Sequence, residues 1–491
     1  MNLKHWIFFL FSVVSIGLFS CQKDLTYSGN TPSISTSTDT LTFDTVFTTV
    51  GSATRSFKIF NNESEDILID LSLDNGASSK FRLNVDGIPG DDVEQVVVNA
   101  KDSIYVFADV TVDPDQPLSI SPFVIEEFIT INSGGTQEKV LLTAWGQNAN
   151  YVPSSKRPGS LSLLSCNLQT EVWDDPKPYV IYGVLFIDSC ELNIKEGTSV
   201  YIHGGLAIED STIYNDGFLI VLENGNLNIE GSVENPVTFQ GDRLESSFDD
   251  TPGQWVGIRI TSGSTNNQVS HTQIKNSIVG IRVDSAAQLI INNSEIFNTS
   301  SAGLIGVHAN IDATNNLIHS NGQNCAILSY GGNYNFNHCT FASYGNQSSA
   351  IRFDNFRCTD PPLCQEVVYV NALNANFTNC LFAGNEKDEI LPIDYTGGED
   401  PELFNYYFDH CGVIVEDILD PDLYPDFFDF CNECFEISFQ DTLFLDIANN
   451  DYRLDTMSLA IDKGFQTEIF SDILNNPRDN APDPGCYEFV K

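Results

Sequence analysis

Two columns of side chains carry most of the chemistry this sequence can offer. Arg259, Arg282, Ile305, Leu328 and Arg352 recur every 23 or 24 residues. Two positions after each stands Thr261, Asp284, Val307, Tyr330 or Asp354. Guanidinium forks grip carboxylates through paired hydrogen bonds, and aromatic rings offer flat apolar surface to a sugar. Arg259, Arg282, Asp284, Tyr330, Arg352 and Asp354 are therefore the candidate ligand-binding residues. A polysaccharide lyase needs a group that neutralises a uronate carboxylate and a base that takes the C5 proton. Arg352 and Asp354 supply part of that set, no Lys accompanies them, and Tyr330 is the nearby alternative base. A glycoside hydrolase needs two carboxylates at a fixed separation across a cleft, and spacing alone places no such pair. The plainer reading is that Arg282–Asp284 and Arg352–Asp354 are solvated ion pairs, each worth under about 1 kcal/mol.

Other reactive residue types read as structural. His271, Asn293, Asn315, His338 and Asn379 share one repeat position, so a polar ladder between neighbouring repeats is expected there in place of metal ligation. Cys339, Cys380 and Cys411 each follow a His or Asn of this kind and read as small interior hydrophobes. Cys358 and Cys364 bracket a Pro-Pro loop, and Cys431 and Cys434 have CxxC spacing; both pairs are disulfide candidates. No second CxxC or His pair completes a zinc set. The acidic loops Asp113-Pro114-Asp115 and Asp420-Pro421-Asp422 could attract Ca²⁺ but lack a recognised ligand spacing. No metal site or other cofactor is expected, and no phosphate loop, nucleophile elbow or HExxH is present.

The elements that must hold these columns follow from the repeat. Ile258, Ile281, Leu304, Ile327 and Ile351 are spaced by 23, 23, 23 and 24 residues, and Ile274, Ile296, Ile318 and Phe341 by 22, 22 and 23. One period held by two columns fits a solenoid with one coil per repeat, whose parallel strands stack about 4.8 Å apart. Strand alternation turns Ile258, Ile260, Ile281, Val283, Ile351 and Phe353 inward and the Arg and Asp columns outward. Upstream, Ser56–Phe60, Ile67–Leu71, Val96–Val98, Ser103–Phe107, Ile125–Ile129 and Val140–Ala144 are short strands between turns, the signature of an antiparallel sandwich.

The 491 residues include 67 acidic and 23 basic ones, a formal charge of −44. That argues against nucleic acid and anionic membrane faces as partners. Trp6–Phe19 is an apolar run too short to span a bilayer and suited to a secretory signal. It ends Leu18-Phe19-Ser20-Cys21, which resembles a bacterial lipobox with Cys21 as the lipidated residue, although Phe19 stands where a small residue is usual. Gln22-Lys23-Asp24 resembles the surface-export signal of Bacteroidota lipoproteins. The resulting division is signal peptide 1–20, tether 21–38, sandwich 39–150, linker 151–175 and coil domain 176–491.

Wider resemblance fits this division. Phe43-Asp44-Thr45-Val46 through Gly146-Gln147-Asn148-Ala149 resembles the Ig-like module that precedes β-helices in Bacteroidota lipoproteins. Leu192–Val200, Val237-Thr238-Phe239 and Gly253–Ile258 resemble the opening coils of their right-handed parallel β-helices. Asp451–Leu454, Ala460-Ile461-Asp462-x-Gly464 and Pro482-Asp483-x-Gly485-x-Tyr487-Glu488-Phe489 resemble the closing segment, with Cys486 in place of the customary Ala. The resemblance implies an all-β chain: an Ig-like β-sandwich followed by a right-handed, single-stranded, pectin-lyase-like parallel β-helix. Such helices host lyases, hydrolases and inert scaffolds alike. The expectation is a monomeric outer-membrane lipoprotein at the cell surface, held to the membrane only by its lipid. It would be a non-catalytic scaffold whose partner is an extracellular glycan or a cell-envelope protein. The alternative is a polysaccharide lyase or glycoside hydrolase.

Overall fold

The computed structural model describes residues 31–490 apart from 48–51, 53, 113–122, 154–159, 210–211, 245–247, 362–363, 420–429 and 439. The signal run, Cys21 and both acidic Asp-Pro-Asp loops lie outside the described residues. The described chain is strands joined by turns and short 3₁₀ segments. It forms two compact units, Met1–Asn148 and Ala149–Lys491.

In the first unit, two five-stranded sheets share one core that includes Phe43, Phe57, Ile59, Ile69, Leu71, Val106, Ile129 and Leu142. Alternation is the cause: Ile67–Leu73 buries every second side chain and exposes Leu68 and Asp70 between them. The first strand, Ile34–Thr36, pairs with Arg55–Asn61, so the sheet begins inside the stretch read as tether.

The second unit winds as stacked coils, most of them laying strands on three faces. On the first face, Gly257–Ile260, Ile281–Val283, Leu304–Thr314, Ala326–Asn337 and Ile351–Asp354 pair parallel in succession. The later halves of the two long strands continue onto the second face, and the third face forms a separate parallel sheet. Ile258, Ile260, Ile281, Val283, Ile351 and Phe353 all point into the core. Coiling starts at Asn150–Val152, and Leu161–Leu164 and Gln169–Trp173 pair with the next coil, so residues 151–175 are largely coil and not linker. Leu161 and Leu163 are exposed at this end, which hid the strand from a search for buried alternation. A disulfide absent from the sequence reading, Cys166–Cys190, ties the first coils together. Cys358–Cys364 and Cys431–Cys434 are also bonded, and Cys325, Cys339, Cys380, Cys411 and Cys486 are buried thiols.

One register assignment is corrected. Leu304 pairs with Ala326, not Ile327, and Ala326 pairs with Ile351. Leu328 is therefore buried, while Ile327 joins the outward Arg column and Ser329 joins the Asp column. The interior here is filled by Tyr334, whose ring stands 2.6 Å from where a Cβ on Gly306 would lie. Ala326 holds the inward position between Leu304 and Ile351, whereas matching the column by size points to Ile327.

The His/Asn column has a backbone cause. His271, Asn293, Asn315, His338, Asn379 and His410 all turn a corner with φ between 47° and 53°, a left-handed conformation in which Asn and His are enriched. The expected ladder is discontinuous. Asn315 Nδ2 donates to Asn293 Oδ1 at 3.1 Å and Asn379 Nδ2 donates to His338 Nε2 at 2.9 Å, but His271 and His410 bond their own chain neighbours.

The closing segment clamps onto these corners. Buried Arg478 donates to Asn315 Oδ1, the carbonyls of Asp483 and Gly485, and Glu488. His338 Nε2 accepts from Asn379, which leaves Nδ1–H to donate to the Asp483 carbonyl at 3.2 Å. Only the neutral ring satisfies both contacts, and burial, with Arg478 nearby, holds its pKa well below the usual value.

Two outcomes follow. Leu328→Asp should cost several kcal/mol by burying an unpaired charge, and Ile327→Asp less than about 1 kcal/mol; the reverse order in urea midpoints would refute the register. For His338, the unfolded imidazole takes a proton below about pH 6.5 that the folded ring refuses, so stability falls as pH falls, by about 1.4 kcal/mol per unit. His338→Asn keeps the left-handed corner and should flatten that part of the stability–pH curve; an unchanged slope would show that the ring titrates freely.

Candidate functional site

The outward column of the first face, in its observed register, is Arg259, Arg282, Ile305, Ile327 and Arg352. These side chains floor an open groove of about 1400 Å³. All six candidate residues, Arg259, Arg282, Asp284, Tyr330, Arg352 and Asp354, line it together. One wall is a hairpin that sequence reasoning did not resolve into residues. Phe356–Cys358 pairs antiparallel with Val368–Val370, placing Arg357 directly opposite Tyr369. The Cys358–Cys364 disulfide closes the hairpin's loop. Phe356, Arg357 and Tyr369 all face the groove. Their signal in the sequence was the alternation on either side of the paired cysteines.

Two buried carboxylates organise the arginines. Asp284 is shared across coils: Oδ2 accepts from Arg259 Nε at 2.6 Å, and Oδ1 accepts from Arg282 Nε at 2.8 Å. Both arginine side chains remain about two-fifths exposed and bond Asp284 through Nε, whereas the Asp284 side chain is 9% exposed. Asp354, at 4%, accepts from Arg352 at 3.3 Å, from Ser329 Oγ at 3.0 Å and from the Tyr330 backbone N–H at 2.9 Å. Arg357 is exposed and forms no ion pair with a described residue. The lining thus holds four cations against two carboxylates, a net +2, on a chain of −44.

Tyr330 sits where the long strands bulge between Val307 and Ala309 as they pass from the first face to the second. Its φ is 61° and that of His308, one coil below, is 51°. A bulky residue in the left-handed region is an outlier of the kind that clusters at functional sites. Asp354 fixes the Tyr330 backbone, and the two rings lie 5.7 Å apart. His308 Nδ1 is buried with no partner among the described residues. No three His, Cys, Asp or Glu side chains among the described residues converge as a metal site.

Asp284→Asn removes the negative charge that offsets two stacked guanidiniums and sets an amide NH2 against one of them. It should cost about 1–2 kcal/mol, the lower end reflecting solvent screening of half-exposed arginines. Arg282→Ala in the same chain should restore part of the loss. Strict additivity of the two changes in denaturant melts would show that the bridge is not coupled.

No family profile matches the chain, and no curated protein matches it. Among solved structures, the catalytic unit of a GH87 α-1,3-glucanase from Streptomyces thermodiastaticus is similar at 11% identity, over 73% of this chain and 72% of that chain, with a TM-score of 0.27. The periplasmic alginate epimerase AlgG is similar at 12% identity over 55% of this chain and 85% of its own, with a TM-score of 0.23. A PapD-like domain of human CEP192 is similar at 12% identity, over 27% of this chain and 97% of that domain, with a TM-score of 0.18.

Proposed function

We propose that the groove binds an acidic polysaccharide. One observation carries this: four of the chain's ten arginines line a single groove, in a sequence whose surface is otherwise overwhelmingly acidic. Arg259, Arg282 and Arg352 each give their carboxylate partner one hydrogen bond from the five N–H donors of a guanidinium, and Arg357 has no described ion pair, so a ligand carboxylate can be gripped without breaking Asp284 or Asp354 away. Phe356, Tyr369 and Tyr330 supply ring surface beside the forks. The floor is built on strands and the wall on a disulfide-closed hairpin, so binding orders few groups.

A second reading, in which the bound chain is also cleaved by β-elimination, is favoured by Tyr330. Its left-handed backbone sets it in a groove lined by four arginines, with its ring 5.7 Å from that of His308. In that reaction an arginine pairs with the uronate carboxylate and makes the C5 proton more acidic. The Tyr330 oxygen accepts that proton and delivers it to the departing O4 as the C4–O bond breaks, leaving a C4=C5 double bond and Tyr330 as it was before the reaction. The non-catalytic scaffold differs only in lacking this step.

The proposal includes the finer features expected from sequence: an Ig-like first unit, a right-handed single-stranded parallel β-helix, membership of the Bacteroidota lipoproteins, and anchoring through Cys21 at the cell surface. Right-handedness is supported by the twist of strands and the chirality of parallel crossovers.

Arg282→Ala and Arg357→Ala should each weaken binding of an acidic polysaccharide by about 1 kcal/mol or more. Stability should stay within about 0.5 kcal/mol for Arg357→Ala, which has no described ion pair to lose. Wild-type affinity in both variants, or no binding of any acidic polysaccharide, would reduce the groove to solvated surface. Tyr330→Phe should leave binding intact and abolish the ultraviolet absorbance of unsaturated products. Absence of that absorbance in the wild type leaves binding alone.

A further inference from the structure

The arginines are not evenly distributed along the groove, and the floor of the gap between them is mostly apolar. Coil by coil, the outward column runs Arg259, Arg282, Ile305, Ile327, Arg352, and the flanking column runs Asp284, Val307, Ser329, Asp354 from the second of these coils onward. The two cationic ends are therefore separated by two coils whose outward residues are Ile305, Val307, Ile327 and Ser329, all groove-lining, and the one polar side chain among them, Ser329, is turned to Asp354. With stacked parallel strands about 4.8 Å apart, Arg282 and Arg352 stand roughly 14 Å apart along the axis, and Arg259 one step further. A pyranose unit of an extended glycan is of comparable length to one such step.

We infer that the groove selects glycans whose carboxylates are three or four sugar units apart, with carboxylate-free units between them lying on Ile305 and Ile327. This inference rests on the acidic-polysaccharide reading and specifies which acidic polysaccharide. One carboxylate pairs with Arg259 or Arg282, whose shared Asp284 leaves that pair of arginines with a net positive charge. The next carboxylate meets Arg352 and Arg357, where Asp354 offsets one charge of two. The sugars in between present their C–H faces to the isoleucines. A glycan carrying a carboxylate on every unit would set two of them over that apolar floor, stripped of water and without a cation, which costs binding energy. Specificity thus comes from penalising the wrong spacing as much as from gripping the right one. The same geometry sets a minimum length: a fragment that cannot reach from Arg282 to Arg352 engages only one cationic end.

Calorimetry on the whole chain with three defined probes tests this. Gellan fragments carry a single glucuronate in each tetrasaccharide repeat, hyaluronan fragments carry one on alternate units, and oligogalacturonate carries one on every unit. Gellan fragments long enough to hold two glucuronates should bind at least tenfold more tightly than oligogalacturonate of equal length, with hyaluronan between them, and fragments holding one glucuronate should lose at least tenfold. Ile305→Arg, an outward change, should reverse the preference by raising oligogalacturonate affinity while leaving the thermal midpoint near wild type. If oligogalacturonate binds as well as gellan and Ile305→Arg changes nothing, the spacing rule fails while the acidic-polysaccharide reading stands. If none of the three binds, both fail.

Discussion

In-register parallel stacking is the constraint on which everything else in the second unit depends. Each residue pairs with its counterpart one coil away, so any side chain is repeated, complemented or clashed with at strand spacing. Inside, repetition is favourable: Phe336, Phe377 and Phe408 stack in sequence at ring separations of 5.3 and 4.7 Å, and Phe341 stacks on Phe382 at 5.1 Å. Outside, repeated amides are tolerated because an amide both donates and accepts, as in Asn310, Asn333 and Asn374 on the second face. Repeated charge is not. Arg259 over Arg282 would be repulsive without a carboxylate reaching both, and Asp284 does so from a buried position. The groove's chemistry is thus a solution to a stacking problem, and that solution leaves guanidinium donors unspent.

The same constraint explains what was legible in the sequence. Columns of Ile at a constant period could be seen because burial selects them, and the outward Arg and Asp columns followed by alternation. Ala326 escaped because a column read by residue size prefers the larger neighbour, Ile327, to the small residue that actually faces inward. The His/Asn column was legible as a column but not as a cause: its members are selected by a left-handed corner, and only some of them bond across coils. Cys166 and Cys190 fall where the coils begin, before any period is established. Arg357 and Tyr369 lie in an inserted hairpin outside the repeat, so no column announced them.

The closing segment shows how a solenoid end is stabilised without a repeat. Its Arg478, Asp483, Gly485 and Glu488 bond the corners of several coils and one another, so short, irregular chain gains what regular strands obtain from ladders. Arg478 is 1% exposed on its side chain and pays its desolvation with an ion pair to Glu488 and three further acceptors. Neutral His338 belongs to this arrangement, since a second cation beside Arg478 would be uncompensated.

A cationic groove on so acidic a chain raises the question of whether an anionic ligand could approach it at all. Distance and screening decide. At physiological ionic strength the field of exposed charges decays over about 8 Å, so carboxylates scattered over the rest of the surface contribute little at the groove. Arginines in direct contact with a ligand carboxylate act within hydrogen-bond distance, where solvent is partly excluded and screening is weak. The long-range repulsion therefore slows encounter more than it weakens the contact, and the global charge can keep the chain soluble without opposing recognition in one groove. What the groove requires is that no unpaired carboxylate stand inside it. Asp284 and Asp354 meet that condition, each buried and turned to arginine, so that they position the cations and leave the net charge of the site positive.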